Sequence, residues 1–266
     1  MRNRLYAVVI ALFSCALLLV AGNSFSQGIG NLQTAGNKHN LSISGTGSIK
    51  ALTETRLCVF CHTPHRAYPG TPLWNHTMSA ASYTVSTPPG VTGTQLSTPQ
   101  NPPDGDSKLC LSCHDGTVPI GAVQNIDSHS ATIAMTGTLP AVGNGSTNLG
   151  TNLSGHHLVS IEYNQALKNA KDLQCPSIGY SLLSPGATPA AYLRETNNSY
   201  AGGATQKGVQ CSSCHDPHYD PIPGTTKFLR GAAGAPTPQP TYPPPTQWVY
   251  GDNLCLACHC LCGSCP

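Results

Sequence analysis

The motif Cys-x-x-Cys-His occurs four times in this chain of 266 residues, and it constrains the fold more than any other feature. The copies are Cys58-Val-Phe-Cys61-His62, Cys110-Leu-Ser-Cys113-His114, Cys211-Ser-Ser-Cys214-His215 and Cys255-Leu-Ala-Cys258-His259. With 13 Cys and 11 His in that length, a random order yields only about 0.03 such motifs. The pattern is the attachment site of c-type haem. Two thiols at this spacing can add to the two vinyl groups on one macrocycle edge, which carries the adjoining His under the ring as proximal iron ligand. Structural zinc also uses Cys-x-x-Cys pairs, but a zinc ribbon has no need of His after every second Cys. A disulfide framework leaves the four histidines unexplained. The reading is four haem c groups, with His62, His114, His215 and His259 proximal.

Composition points the same way. Charged residues are 9% of the chain and aromatics 6%, against 27 Gly and 23 Pro. Ordering each residue costs roughly 1–2 kcal/mol of backbone entropy, which apolar burial must offset. Four Phe and two Trp offer little for that purpose. Covalently held macrocycles supply apolar surface and restrict the unfolded chain as cross-links do. The expected fold is therefore loop-rich, low in secondary structure and organised by its haems, with short helices at the attachment motifs: a tetrahaem cytochrome c.

Arg2 and Arg4 precede an apolar run from Leu5 to Ala21, followed by small residues to Ser26. Residues 1–26 read as a secretory signal peptide. The alternative is a membrane anchor, but 17 helical residues reach only about 25 Å, short of the roughly 30 Å hydrocarbon core. Removing the segment takes Lys+Arg from 13 to 11, equal to Asp+Glu at 11. A neutral mature chain without a transmembrane segment has no basic field for nucleic acid or anionic lipid. The expected location is extracellular or at the cell surface, with the periplasm as alternative.

Seven histidines lie outside the motifs: His39, His65, His76, His129, His156, His157 and His218. The mature chain has only Met78 and Met135 as thioether ligands, so bis-His coordination is expected at all four irons. His65 follows His62 in His62-Thr-Pro-His65, and His218 follows His215 in His215-Asp-Pro-His218. Three residues span at most about 10 Å, too little to wrap round the same macrocycle, so each should reach a different haem. Proximity in sequence assigns His65 to the second haem and His218 to the fourth. His39 and His157 are the candidates for the others, with His156 as the neighbour of His157. His76 and His129 are expected to be non-ligands. The repeated His-x-x-His sites, each followed by a further attachment motif, divide the chain into two dihaem modules. The first, with its linker, is 27–150. The second, 151–266, ends in a Cys-rich tail. Cys175, Cys260, Cys262 and Cys265 read either as disulfide partners or as the mark of a cropped or frame-shifted end. Pro88–Pro103 and Pro236–Pro245 read as linkers.

The phrases Lys38-His39-Asn40-Leu41-Ser42, His62-Thr-Pro-His65, Pro72-Leu73-Trp74-Asn75, Cys113-His114-Asp115-Gly116-Thr117 and His157-Leu-Val-Ser160 give the chain a family likeness. It resembles the exported multihaem cytochromes of metal-reducing bacteria, and most of all the tetrahaem OmcE-type extracellular cytochrome filaments. Leu158 departs from that pattern, since related sequences often place Pro after the ligand His. The resemblance implies subunits that polymerise head to tail into a filament with a continuous haem chain. It also implies that a His can ligate iron in the next copy, and His39, near the mature N-terminus, is the expected one. Redox-partner cytochromes and extracellular electron acceptors are the other partners implied. The expected function is electron transfer, not enzyme catalysis. A monomeric carrier with the same haem chemistry is the first alternative. A multihaem oxyanion reductase is the second, and it needs an open iron with cationic groups nearby.

Overall fold

A computed structural model describes residues 31–34, 36–69, 73–86, 101–143, 145–188, 192–196, 206–220, 227–230 and 252–263. The expected signal peptide, the 236–245 linker, most of 88–103 and Cys265 lie outside the described residues.

Secondary structure is sparse and follows the attachment motifs. Helix α1 (Gly105–His114) ends on the second motif, α3 (Cys211–Cys214) is the third, and α4 (Asp252–Leu256) begins the fourth. The first motif closes as a single turn, in which His62 N donates to Cys58 O at 2.7 Å. The same bond, His215 N to Cys211 O at 3.0 Å, recurs at the third. One α-type turn places both thiols and the following His on neighbouring positions, so the motif needs little helix beyond itself. The remaining helix, α2 (Gln165–Ile178), carries no motif. Asn164 Oδ1 caps its start by accepting from Leu167 N at 2.9 Å. Gly179 ends it at φ +79, a left-handed conformation that a side chain would strain.

The strands are short. β1 (Ala122–Ile126) pairs with β2 (His129–Thr132) as a hairpin. β3 (Ile161–Glu162), β5 (Arg194–Thr196) and β6 (Gln206–Val209) form a sheet in the order β3-β6-β5, and β4 (Tyr180–Leu182) pairs with β7 (His259–Leu261). All pairings are antiparallel. Within Leu158–Tyr163, only Ile161–Glu162 is strand.

Three small apolar clusters replace a single core. Ala51, Phe60, Val123 and Ile133 form one, with Cys61 against it. Tyr83, Leu111 and Leu153 form the second. Ile161, Tyr163, Leu167, Leu182, Leu193 and Val209 form the third, against which Cys258 packs. Buried amides complete the packing. Asn75, fully buried, accepts from Asn125 N at 2.8 Å and donates to Val59 O, stapling the first attachment turn to β1.

Residues 27–150 and 151–266, the two expected modules, interleave. Leu111 of the first packs on Leu153 of the second, and Asn31 N donates to His218 O at 3.1 Å. Cys175 in α2 is disulfide-bonded to Cys262 beyond β7, 87 residues away, and Cys260 is also disulfide-bonded. Of the two readings of the spare cysteines, the structure carries disulfides. Among the described residues, no helix is long and apolar enough to cross a membrane.

Candidate haem sites

All eight motif cysteines are free thiols, Cys58 and Cys255 exposed and the others half-buried. Neither the disulfide nor the zinc reading of the motifs is realised in their geometry: no group of three or more His, Cys, Asp or Glu among the described residues converges as a metal cage.

The histidine rings converge in pairs. His62 and His218 have ring centroids 6.0 Å apart, His39 and His114 6.1 Å, and His157 and His259 6.2 Å. A metal–imidazole bond is about 2.0 Å and the bonded nitrogen lies about 1.1 Å from the ring centre, so two imidazoles on opposite sides of one ion stand about 6.2 Å apart. Each pair joins one motif His with one non-motif His, at the spacing that one six-coordinate iron requires.

Tautomers fit as well. His39 Nδ1 donates to Pro217 O at 2.9 Å, His114 Nδ1 to Thr147 O at 2.7 Å, His157 Nδ1 to Leu158 O at 2.9 Å and His215 Nδ1 to Lys227 O at 2.8 Å. A proton held on Nδ1 by a backbone carbonyl leaves the Nε2 lone pair for a metal. Burial lowers the pKa of His39 to about 4, against the opposing pull of the Pro217 carbonyl. Burial also lowers His62 and His259. Neutral imidazole is the ligating form. Phe228 stacks on His39 at 4.2 Å, and Trp74 stands edge-on to His62 at 6.0 Å. Trp74 Nε1 is shielded from solvent and has no hydrogen-bond partner, a donor suited to a haem propionate. The thiols, the paired imidazoles and this free donor fit haem c at the first, second and fourth motifs.

Several expectations are corrected by these positions. His218 faces His62 of the first motif, not the fourth. His39 faces His114 within its own chain, and its Nδ1 donates to Pro217 O. His65 lies beside no motif His: it is exposed, and its backbone is fixed by Thr63 and Asn125, whose side chains donate to its carbonyl at 2.8 and 2.7 Å. Of the adjacent pair, His157 and not His156 meets His259. His76 is fully buried, with Nδ1 2.9 Å from Thr77 O and Nε2 3.2 Å from Pro119 O, so both nitrogens are engaged. His129 is exposed and its Nδ1 meets Asp127 O at 3.1 Å.

The thiols also give the order of the sites. Burial and then the neighbouring Cys61 push the Cys113 thiol up. Cys110 and Cys211 share a thiol hydrogen bond. Burial and then Cys214 push Cys258 up to about 12. Successive motifs are therefore near one another in sequence order, the first near the second, the second near the third and the third near the fourth. Sequence reading did not anticipate the contributions of Phe228, Pro217 or the buried Asp104 and Gln210. Only the closeness of Lys227-Phe228 to the third motif offered a hint. No protein-family model matches the chain, and no curated protein matches it.

Proposed function

We propose that the chain is an exported tetrahaem c-type cytochrome that carries electrons through four bis-His sites and polymerises head to tail outside the cell. The single observation that supports it most is the three His–His pairs at 6.0–6.2 Å, each containing one attachment-motif His. Bound haem supplies one-electron chemistry. The protein's own residues would hold it by thioethers, offer neutral imidazole to its axial positions and keep successive sites near one another. Imidazole on both faces leaves no position for a substrate, which favours a carrier over an oxyanion reductase.

The fourth pair supports assembly. Every histidine lies among the described residues, and no ring is paired with His215, although its Nδ1 is fixed to Lys227 O as those of His39, His114 and His157 are to their carbonyls. The two His-x-x-His sites explain the gap. His218 leaves its own motif and meets His62 of the other site. By the same relation His65 should meet His215, and the chain's own fold does not bring them together. His65 from a second copy completes the set. That contact is heterologous and does not close, so it generates an open filament.

The test uses the exported wild-type protein and His65→Ala. Intact mass should show four haems, each thiol adding across a vinyl without loss of atoms, and the ferric spectrum should be low-spin throughout. His65→Ala should keep four haems, show one high-spin iron and sediment as monomers. Fewer than four haems refutes the tetrahaem reading, whereas filaments of normal length from His65→Ala refute the crossing ligand.

A further inference from the structure

Where α1 meets α3, two helix N-termini from opposite dihaem segments cap one another. Ser107 N, in the first turn of α1, donates to Gln210 Oε1 at 3.0 Å, and Cys211 N, the first residue of α3, donates to Ser107 Oγ at 3.0 Å. Asp104, the residue before α1, makes no side-chain cap to its own helix. Its carboxylate instead accepts from Gln210 Nε2 at 2.9 Å and from Thr196 Oγ1 at 3.0 Å. Its backbone N donates to Ser160 Oγ at 3.0 Å, and that hydroxyl also lies 3.3 Å from Gln210 Oε1. Ser212 Oγ donates to Asp106. Asp104, Ser107, Ser160, Thr196 and Gln210 are all buried, at 3% exposure or less.

The backbone accommodates this knot at one special point. Gly105 sits at φ +49, and a Cβ there would stand 2.6 Å from Glu195 O and 3.0 Å from Gln210 Nε2. Only glycine lets the two segments approach so closely. An apolar contact of the same size could slide, because burial has no direction. Hydrogen bonds lose strength quickly with misalignment, so this network fixes both spacing and rotation. What it fixes is adjacent: Cys211 follows Gln210, Cys110 lies in the second turn of α1, and their thiols touch.

We propose that Asp104, Gln210 and Thr196 are positioning residues for the junction between the second and third haem sites, holding Cys110 and Cys211 in contact. The proposal rests on the tetrahaem reading above. Thioether formation replaces each S–H by S–C, so the thiol hydrogen bond is lost, and the polar knot alone must then keep the sulfurs neighbours. Electron passage between two centres depends steeply on their separation and relative orientation, so this junction sets how well the two halves of the chain communicate.

The experiment compares holoprotein of wild type, Gln210→Met, Thr196→Val and Thr196→Ser by Soret circular dichroism, with haem content and low-spin absorption measured on the same samples. Adjacent haems with fixed geometry give a bisignate couplet whose size depends on their distance and angle. Gln210→Met and Thr196→Val should keep four low-spin haems but lose couplet amplitude, and Thr196→Ser should restore the wild-type signal. A variant merely less stable would keep the couplet under native conditions. Should Gln210→Met fail to mature, the Thr196 pair decides. A wild-type couplet in Thr196→Val at full haem loading overturns the proposal and leaves the tetrahaem reading intact. Wild-type protein without four haems overturns that reading itself.

Discussion

The Cys175–Cys262 disulfide ties α2 to the strand that carries the fourth motif His, and its removal should be costly. The bond closes 87 residues. In the chain-entropy account, opening a loop of that length releases about 15 cal/mol/K, or about 4.6 kcal/mol at 25 °C, with about 2–4 kcal/mol typical once native strain and residual structure intervene. Under the tetrahaem reading, thioethers at Cys211/Cys214 and Cys255/Cys258 would close only short loops inside this one, so they would not substitute for it. At a guanidinium m-value of about 5 kcal/mol/M, the midpoint of Cys262→Ser should fall by about 0.4–0.9 M. Unfolding followed by far-ultraviolet circular dichroism measures it. Cys175→Ser should match Cys262→Ser, and the double variant should equal either single one, since both remove the same link. An unchanged midpoint, or a double variant twice as destabilised as each single one, would falsify the reasoning.

Three further outcomes follow from individual residues. His218→Ala and His39→Ala should each leave four haems attached, with one iron converted to high spin and returned to low spin by added imidazole; no spectral change in either rejects the in-chain pairs. Tyr163, buried, donates to Leu183 O at 2.9 Å and Cys258 O at 3.1 Å, so Tyr163→Phe should cost about 1–2 kcal/mol in equilibrium unfolding. The Arg56 guanidinium hydrogen-bonded to Glu54 holds its carboxyl down to about 2, below the ordinary 4.5. A depressed carboxyl contributes stability that is present above pH 4.5 and is lost as the pH falls toward 2; Glu54→Gln should flatten that part of the stability–pH curve, and an unaltered slope counts against the pair.

The four Cys-x-x-Cys-His motifs were legible because each is five consecutive residues and needs only one turn to assemble. Their partners were not. His39 and His114 are 75 positions apart, His157 and His259 are 102, and His62 and His218 are 156. Such pairings are decided by packing of the whole chain. Nearness in sequence sent His218 to the fourth motif, whereas interleaving of the two segments brings it to the first. The choice of His157 over His156 turned on the sense in which the chain enters β3, which no local pattern records. Asp104 in Pro102-Pro103-Asp104-Gly105 reads as an ordinary turn residue, and its role depends on Gln210, 106 positions later. The four spare cysteines allow three connectivities, so the partner of Cys175 could not be read from sequence either.

The meeting of His62 with His218 has a consequence for how such a molecule is made. If the proposed function holds, a chain exported N-terminus first would present Cys58–His62 for haem attachment well before His218, which lies 156 positions beyond His62 and faces it. His65 arrives almost at once but cannot turn back across the same ring, since three residues reach no further than about 10 Å. On the tetrahaem reading, the first iron to be installed would therefore be among the last to be closed. The second would be closed from upstream by His39, whose Nδ1 donates to Pro217 O. Biogenesis would thus end where the first module began, with the arrival of residues 217–218 sealing both opening sites in one event.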